Sequence, residues 1–205
     1  KPLRLTRVRF EDESVEAWAC TGTPVDCIKL AVGVLLDEKP DLIVSGVNHG
    51  LNASISVLYS GTMSAAVEGA IENIPAIGFS LDNYSQEADF TAAREVARRV
   101  VTTALAQDFP PYTALNVNIP YVGYDEIKGY KIARQALGRF VEEFERRTDP
   151  YGRDYYWLTG NFRLDDEGED TDIWALRHHY VSICPVQIDA TAHHTVSLLN
   201  HWKFA

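Results

Sequence analysis

The stretch DLIVSGVNHGLNASISVLYSGTMS, residues 41–64, carries the strongest architectural signal in this chain. Leu42, Ile43 and Val44 form a short unbroken apolar run, the pattern of a strand buried on both faces, and Ser45-Gly46 ends it. A polar loop without a single Lys, Arg, Asp or Glu follows, and it enters a helix at Ser60-Gly61-Thr62. A buried strand, a glycine-bearing loop and a new helix N-terminus together aim unpaired backbone N–H groups at one place, which suits an anion. In open parallel sheets, ligands bind beyond the carboxyl ends of the strands, and this loop leaves such an end. The functional site is expected here.

Outward from this stretch, helical and strand patterns alternate. Upstream, residues 4–10 and 15–20 read as strands. Thr23 then caps a helix with Pro24 at its first position and Asp26 as the acidic member of a capping box. Val25, Ile28, Val32, Leu35 and Leu36 carry that helix to about Asp37. Downstream, the helix opened by Ser60 presents Met63, Val67, Ala70, Ile71 and Ile74 on one face and stops at Pro75, and residues 76–80 form a third apolar strand. A long helix follows, with Phe90, Ala93, Val96, Ala97, Val100, Val101, Ala104 and Leu105 as its stripe. This alternation predicts an α/β fold of Rossmann-like, three-layer type with a mainly parallel sheet and right-handed crossovers.

The second half changes character. Leu115, Val117 and Ile119 alternate with Asn116 and Asn118, which predicts a half-exposed strand. Residues 128–135 and 153–159 repeat a strand pattern around a charged middle at 139–149, so 128–171 is expected to leave the sheet as a hairpin-like arm. Its aromatic residues Tyr155, Tyr156 and Trp157 require a partner surface. One more strand is expected at 180–184 and a closing helix at 195–202. The division predicted is a single domain with its core at about 1–127 and 172–188, the arm at about 128–171 and a C-terminal helix at about 189–205.

Composition narrows the function. The 205 residues are 46% hydrophobic and 23% charged, ordinary for a folded domain. With 29 acidic against 19 basic side chains the net charge is −10, which disfavours duplex nucleic acid and anionic membrane as partners. Cys20, Cys27 and Cys184 are too few and scattered for a disulfide framework or a zinc knuckle, so a reducing, cytoplasmic setting is expected.

Ser60, Gly61 and Thr62 read either as a phosphate cradle or as an ordinary helix cap. The amide oxygen of Asn48 is suited to a hard cation or simply to a turn, and Asn52 has the same two readings. His49 is expected as an exposed loop histidine. Cys27 is expected to be a buried structural thiol. The pairs His178-His179 and His193-His194, read as strand neighbours, point to opposite faces and cannot chelate one ion. The acidic run at 165–170 is read as a solvated loop.

Taken together and in order, Gly22-Thr23-Pro24-Val25-Asp26-Cys27, Ser45 to Asn52, Tyr59-Ser60-Gly61-Thr62 with Ala65-Ala66 and Glu68-Gly69, and Tyr180-Val181-Ser182-Ile183 before Pro185 resemble the SurE family of metal-dependent 5′/3′-nucleotidases. The likeness spans about Leu3 to Trp202. It implies a Rossmann-like core, a protruding β-hairpin and a swapped C-terminal element that build a homodimer or homotetramer. It also implies removal of phosphate from nucleoside monophosphates with a divalent cation, manganese or magnesium, with cobalt and calcium as alternatives. Onto this sequence it carries Asn48 as a metal ligand and Ser60, Gly61 and Thr62 as the phosphate cradle. The family's Asn-Asp-Asp-Gly motif, which holds its candidate catalytic aspartate, has no counterpart among these residues, nor does the strand–helix unit of about 30 residues around it. No catalytic residue is therefore assigned. A non-catalytic nucleotide- or phosphate-binding scaffold is the alternative. Leu51, Ser54 and Ser56 depart from the family's usual Pro, Gly and Asp.

Overall fold

The computed structural model describes residues 2–204. Its strands are β1 (Leu5–Val8), β2 (Ala17–Cys20), β3 (Ile43–His49), β4 (Ala76–Leu81), β5 (Thr113–Ile119), β6 (Gly129–Ile132), β7 (Gly138–Thr148), β8 (Asp154–Leu164) and β9 (Tyr180–Gln187). Its helices are α1 (Pro24–Leu30), α2 (Gly61–Ile71), α3 (Thr91–Leu105), α4 (Asp172–Arg177) and α5 (His193–Leu199). One sheet has the order β3-β4-β5-β9-β6, while β1-β2 and β7-β8 are separate two-stranded ribbons. Strands β3, β4 and β5 run parallel, as do β9 and β6, and the two groups meet at the antiparallel β5–β9 pair. The expected α/β architecture with a mainly parallel sheet is present.

β4 is buried along its whole length because the sheet is covered on both faces, by α3 and by α2. Ile77, Phe79 and Leu81 pack with Val117, Ile119 and Val181 against Ala93, Val96 and Val100 of α3. Each of these large apolar side chains stabilises the fold by about 1.5–3 kcal/mol when fully buried. The alternate residues of β4 face α2, where Ala76 joins Ile43, Met63, Ala66, Ala70 and Ala114 in a second cluster. Small residues let α2 approach closely: a Cβ on Gly78 would lie 2.5 Å from Met63 Sδ.

Several expectations are corrected. Ile43 is buried but Val44 is 47% exposed, because β3 is the outer strand of the described sheet. Asn116 and Asn118 are fully buried rather than half exposed, since β5 is central and its polar side chains meet other polar groups. Strand β6 belongs to the sheet, parallel to β9, and the arm consists of β7 and β8 alone. The charged segment read as the arm's middle is thus its first strand. Regular α-helix in α1 ends at Leu30 and a π-helical turn over Ala31–Leu35 takes over, where Gly33 between Val32 and Val34 is a weak helix former. The final helix lies two to three residues earlier than expected. Cys27 is exposed, and the buried thiol is Cys184. No described helix is long and apolar enough to cross a membrane.

Candidate functional site

The segment after Ser45 is strand, not loop. β3 continues to His49, and its pairing with β4 slips between Ser45 and Asn48, where Gly46 takes a φ of 105°. The slip re-aims the strand end. Asn48, half-buried, pairs with Ser80 of β4 and accepts from the Ser80 hydroxyl at 2.8 Å and from Asn52 Nδ2 at 3.0 Å. Its own Nδ2 donates to the carbonyls of His49 and Gly50. All polar atoms of the Asn48 amide are therefore engaged, which fixes its orientation. Asn52 is buried, and its backbone N–H donates to Asn118 Oδ1 at 2.8 Å while its carbonyl accepts from Asn116 Nδ2. A ladder of uncharged amides thus anchors the turn beyond β3 to the middle of the sheet. His49 is exposed, as expected, but it ends β3 rather than lying in a loop, with its ring edge-on to Phe90 at 5.0 Å.

The chain then makes a 3₁₀ turn over Ser54–Tyr59 and enters α2. Ser54 sits at φ 54°, held by its N–H to Asp172 Oδ2 at 2.8 Å and its hydroxyl to the Ala136 carbonyl at 2.9 Å. Ser60 is the N-cap, and its Oγ accepts from the Met63 N–H at 3.0 Å. Gly61 and Thr62, exposed and half-buried, occupy the first turn, where N–H groups lack intrahelical acceptors and the helix dipole is positive. Gly61 abuts Pro24 of α1, since a Cβ there would lie 3.3 Å from Pro24 Cγ. The Thr23–Asp26 capping box that starts α1 is formed as its sequence predicts.

Thr62 and Met63 lie over Gly78 of β4, and Asn48 lies against Ser80 two residues further on. Residues i and i+2 of a strand share a face, about 7 Å apart. The start of α2 and the Asn48 amide are therefore neighbours above the carboxyl ends of parallel strands. From Leu42 to Val67 the sequence has no ionised side chain apart from any charge on His49, so an anion meets no fixed repulsion from this segment.

Two site features escaped sequence reading. Asp172, the first residue of α4, is buried and accepts from the N–H groups of Ser54, Ala136 and Ile173. Asp82 follows β4 directly; it is exposed as a residue, yet packing desolvates its carboxyl and holds the pKa above the ordinary aspartate value. Neither has a local signature. The acidic run is largely exposed, as read, and within it Asp166 and Asp170 pair with Arg134. His178 caps the end of α4 and His193 opens α5, so neither histidine pair lies on a strand, and among the described residues no three His, Cys, Asp or Glu side chains converge on a metal position.

A family model described as Survival protein SurE matches residues 1–142. A protein named 5′-nucleotidase SurE from Flavobacterium johnsoniae is 52% identical over 201 residues, covering 98% of this chain and 78% of that protein. Its namesake from Phocaeicola vulgatus is 42% identical over 203 residues, with the same coverage of 98% and 78%. Among solved structures, that of the SurE protein from Aquifex aeolicus superposes with a TM-score of 0.81 at 36% identity, covering 98% of this chain and 79% of that one.

Proposed function

The chain belongs to the SurE family, and from that premise we propose that it is a phosphomonoester hydrolase that releases phosphate from nucleoside 5′- or 3′-monophosphates. The observation that carries this reading is the juxtaposition of the open first turn of α2 with the fixed Asn48 amide, both over the α2-facing side of β4. The names of the relatives, all 5′-nucleotidases, weigh against a scaffold without catalysis.

In this reading the N–H groups of Gly61 and Thr62 bind the non-bridging phosphoryl oxygens. The negative charge that concentrates there during in-line attack by water is met by fixed donors and the helix dipole, with little reorganisation. Ser60 keeps these donors in register by capping α2 through Met63. Tight packing of Met63 and Thr62 on β4 holds the turn against the sheet.

A divalent cation, manganese or magnesium, belongs to the reading, with Asn48 as one ligand through its Oδ1. The described residues do not by themselves fit such an ion. Around Asn48 they offer neutral amide and hydroxyl groups, its Oδ1 already accepts two hydrogen bonds, and no acidic or histidine trio converges. The arm, with Phe144, Tyr156, Trp157 and Leu158 exposed, and α5 supply apolar surface for a homodimer or homotetramer. Three free thiols accord with a cytoplasmic setting.

The test is phosphate release from a panel of nucleoside monophosphates by the full-length protein, with added manganese or magnesium and with chelator. Metal-dependent release is expected, and Gly61→Pro, which removes one of the cradle's N–H donors, is expected to lower kcat/KM by at least tenfold. No release from any nucleotide under any of these conditions would overturn the reading.

A further inference from the structure

A nucleotidase site needs somewhere for the base, and the position that suits it lies on the loop after β4. Tyr84 is 76% exposed, yet its ring is not adrift. A Cβ added to Gly50 would lie 2.2, 2.7 and 2.8 Å from Tyr84 Cε1, Cζ and Cδ1, so the side of the ring rests on the Gly50 backbone and only glycine leaves it room. Gly50 is itself fixed: φ is 83°, its N–H donates to the Asn83 carbonyl at 2.9 Å, and its carbonyl accepts from Asn48 Nδ2 at 3.0 Å. Tyr84 is thereby tied through one residue to the amide beside the phosphate cradle. Asn83 Oδ1 accepts from the Ser85 N–H at 2.7 Å, and Ser85 Oγ accepts from the Glu87 N–H at 3.2 Å, so the loop is braced on both sides of the ring.

Charge gives the arrangement a direction. The loop that carries Tyr84 also carries Asp82, Glu87 and Asp89, whereas the segment between β3 and α2 bears no carboxylate. A nucleoside monophosphate would be turned with its anionic end toward α2 and its uncharged base toward the acidic loop. Tyr59 is more exposed still: it stands at the end of the 3₁₀ turn with 81% of its surface open.

We propose that Tyr84 is the platform on which the nucleobase of the substrate stacks, and that it is a specificity residue for nucleotides over other phosphomonoesters. Stacking tolerates every base, because each has a π-face, so Tyr84 selects for the presence of a base and not for its identity. This inference rests on the nucleotidase reading above.

The full-length protein is assayed with a nucleoside 5′-monophosphate and with ribose 5-phosphate, which keeps the sugar phosphate and lacks the base. Tyr84→Ala is expected to lower the ratio of the two kcat/KM values by roughly tenfold, equivalent to about 1.4 kcal/mol, mainly through KM for the nucleotide. Tyr84→Phe, which keeps the ring, is expected to restore the ratio. An unchanged ratio in Tyr84→Ala would overturn the platform while leaving the hydrolase reading intact. If the unaltered protein hydrolyses neither compound, the hydrolase reading falls instead, and equilibrium dialysis decides the subsite. A roughly tenfold weaker binding of adenosine monophosphate by Tyr84→Ala supports it, and equal binding overturns it.

Discussion

Replacing Asp172 by Ala tests whether the approach to the cradle is held from across the sheet. Asp172 is 1% exposed; its Oδ2 accepts from Ser54 N–H at 2.8 Å, and its Oδ1 accepts from Ala136 N–H at 3.0 Å and Ile173 N–H at 2.8 Å. Ser54 and Ala136 are themselves buried, so removing the carboxylate orphans two backbone donors away from water. At about 1–3 kcal/mol for each orphaned group the loss is roughly 2–6 kcal/mol. Relief of the carboxylate's own desolvation moves the sum toward the lower half, so about 3 kcal/mol is expected. Asp172→Asn keeps one acceptor oxygen and is expected to lose about half as much. Equilibrium urea unfolding reads both differences, with the denaturant slope unchanged if the transition stays two-state. The consequence reaches the site because Ser54, held at positive φ by this carboxylate, opens the turn that delivers Ser60. Weaker phosphate inhibition should accompany the lost stability. An alanine variant within about 0.5 kcal/mol of the parent would show that water or backbone movement satisfies both donors and that Asp172 does not anchor the turn.

Ser60→Ala removes the cap that accepts from Met63 N–H, and should cost about 1 kcal/mol of stability by thermal or urea unfolding. Gly50→Ala places a methyl group within 2.2 Å of the Tyr84 ring at a φ of 83°; a loss of about 1–3 kcal/mol is expected, together with displacement of Tyr84 read as weaker nucleotide binding. Ser80→Ala deletes a hydroxyl bonded to both Asn48 and Asn52 and should destabilise by about 1–2 kcal/mol, whereas Ser182→Ala deletes a buried hydroxyl with no partner among the described residues and should be neutral or stabilising. Acid sensitivity should run through Asp166, whose pKa the Arg134 guanidinium lowers from 3.8 to about 2. The depressed folded value means that its stabilising contribution is complete well above pH 3.8 and is lost as pH falls toward 2. Arg134→Ala should flatten that part of the stability–pH curve.

What the sequence revealed and what it hid divide along the range of the interactions. The Thr23–Asp26 box, the Ser60 cap and the α3 stripe are set by residues within a few positions of one another, and each formed as read except that Leu105, at the end of the stripe, is exposed. The start of α2 at Ser60 was legible for the same reason, whereas Asn48, read as a loop residue, lies in β3, where its bond to Ser80 spans 32 residues. Asn116 and Asn118 misled because alternation of apolar and polar residues signals a half-exposed strand only if the polar side faces water. Here it faces the Asn52 turn, 64 and 66 residues away in sequence for the two bonds concerned. Asp172 was hidden likewise, since its partners Ser54 and Ala136 are joined to it only by folding. The arm was displaced because β6 and β7 carry similar strand patterns, and only register against β9 assigns β6 to the sheet.

That register produces a feature absent from any single segment. Asn48 pairs with Ser80, Ser80 with Asn118, Asn118 with Ser182, and Ser182 with Lys131, so one polar row crosses all five strands of the sheet. Its β3–β5 part lies near the carboxyl ends of the parallel strands, with apolar Ala76 and Ala114 deeper on the same side of the sheet. A row of this kind weakens the hydrophobic core where it runs, because amides and hydroxyls must be hydrogen-bonded to be buried at little cost. The Asn48, Asn52, Ser80, Asn116 and Asn118 side chains meet that condition by bonding to one another and to the turn after β3. An apolar row would pack as well but could not fix an amide oxygen at the strand end, nor accept an anion's neighbourhood without a compensating charge. With a net charge of −10, the chain has little long-range attraction to offer a phosphate. Phosphate binding at the proposed site would then have to come from donors at contact distance whose orientation is already set. In the proposed site the uncharged β3–β5 part of the row would supply that rigidity beneath the first turn of α2, which would account for the polarity of β4 and β5 at this level.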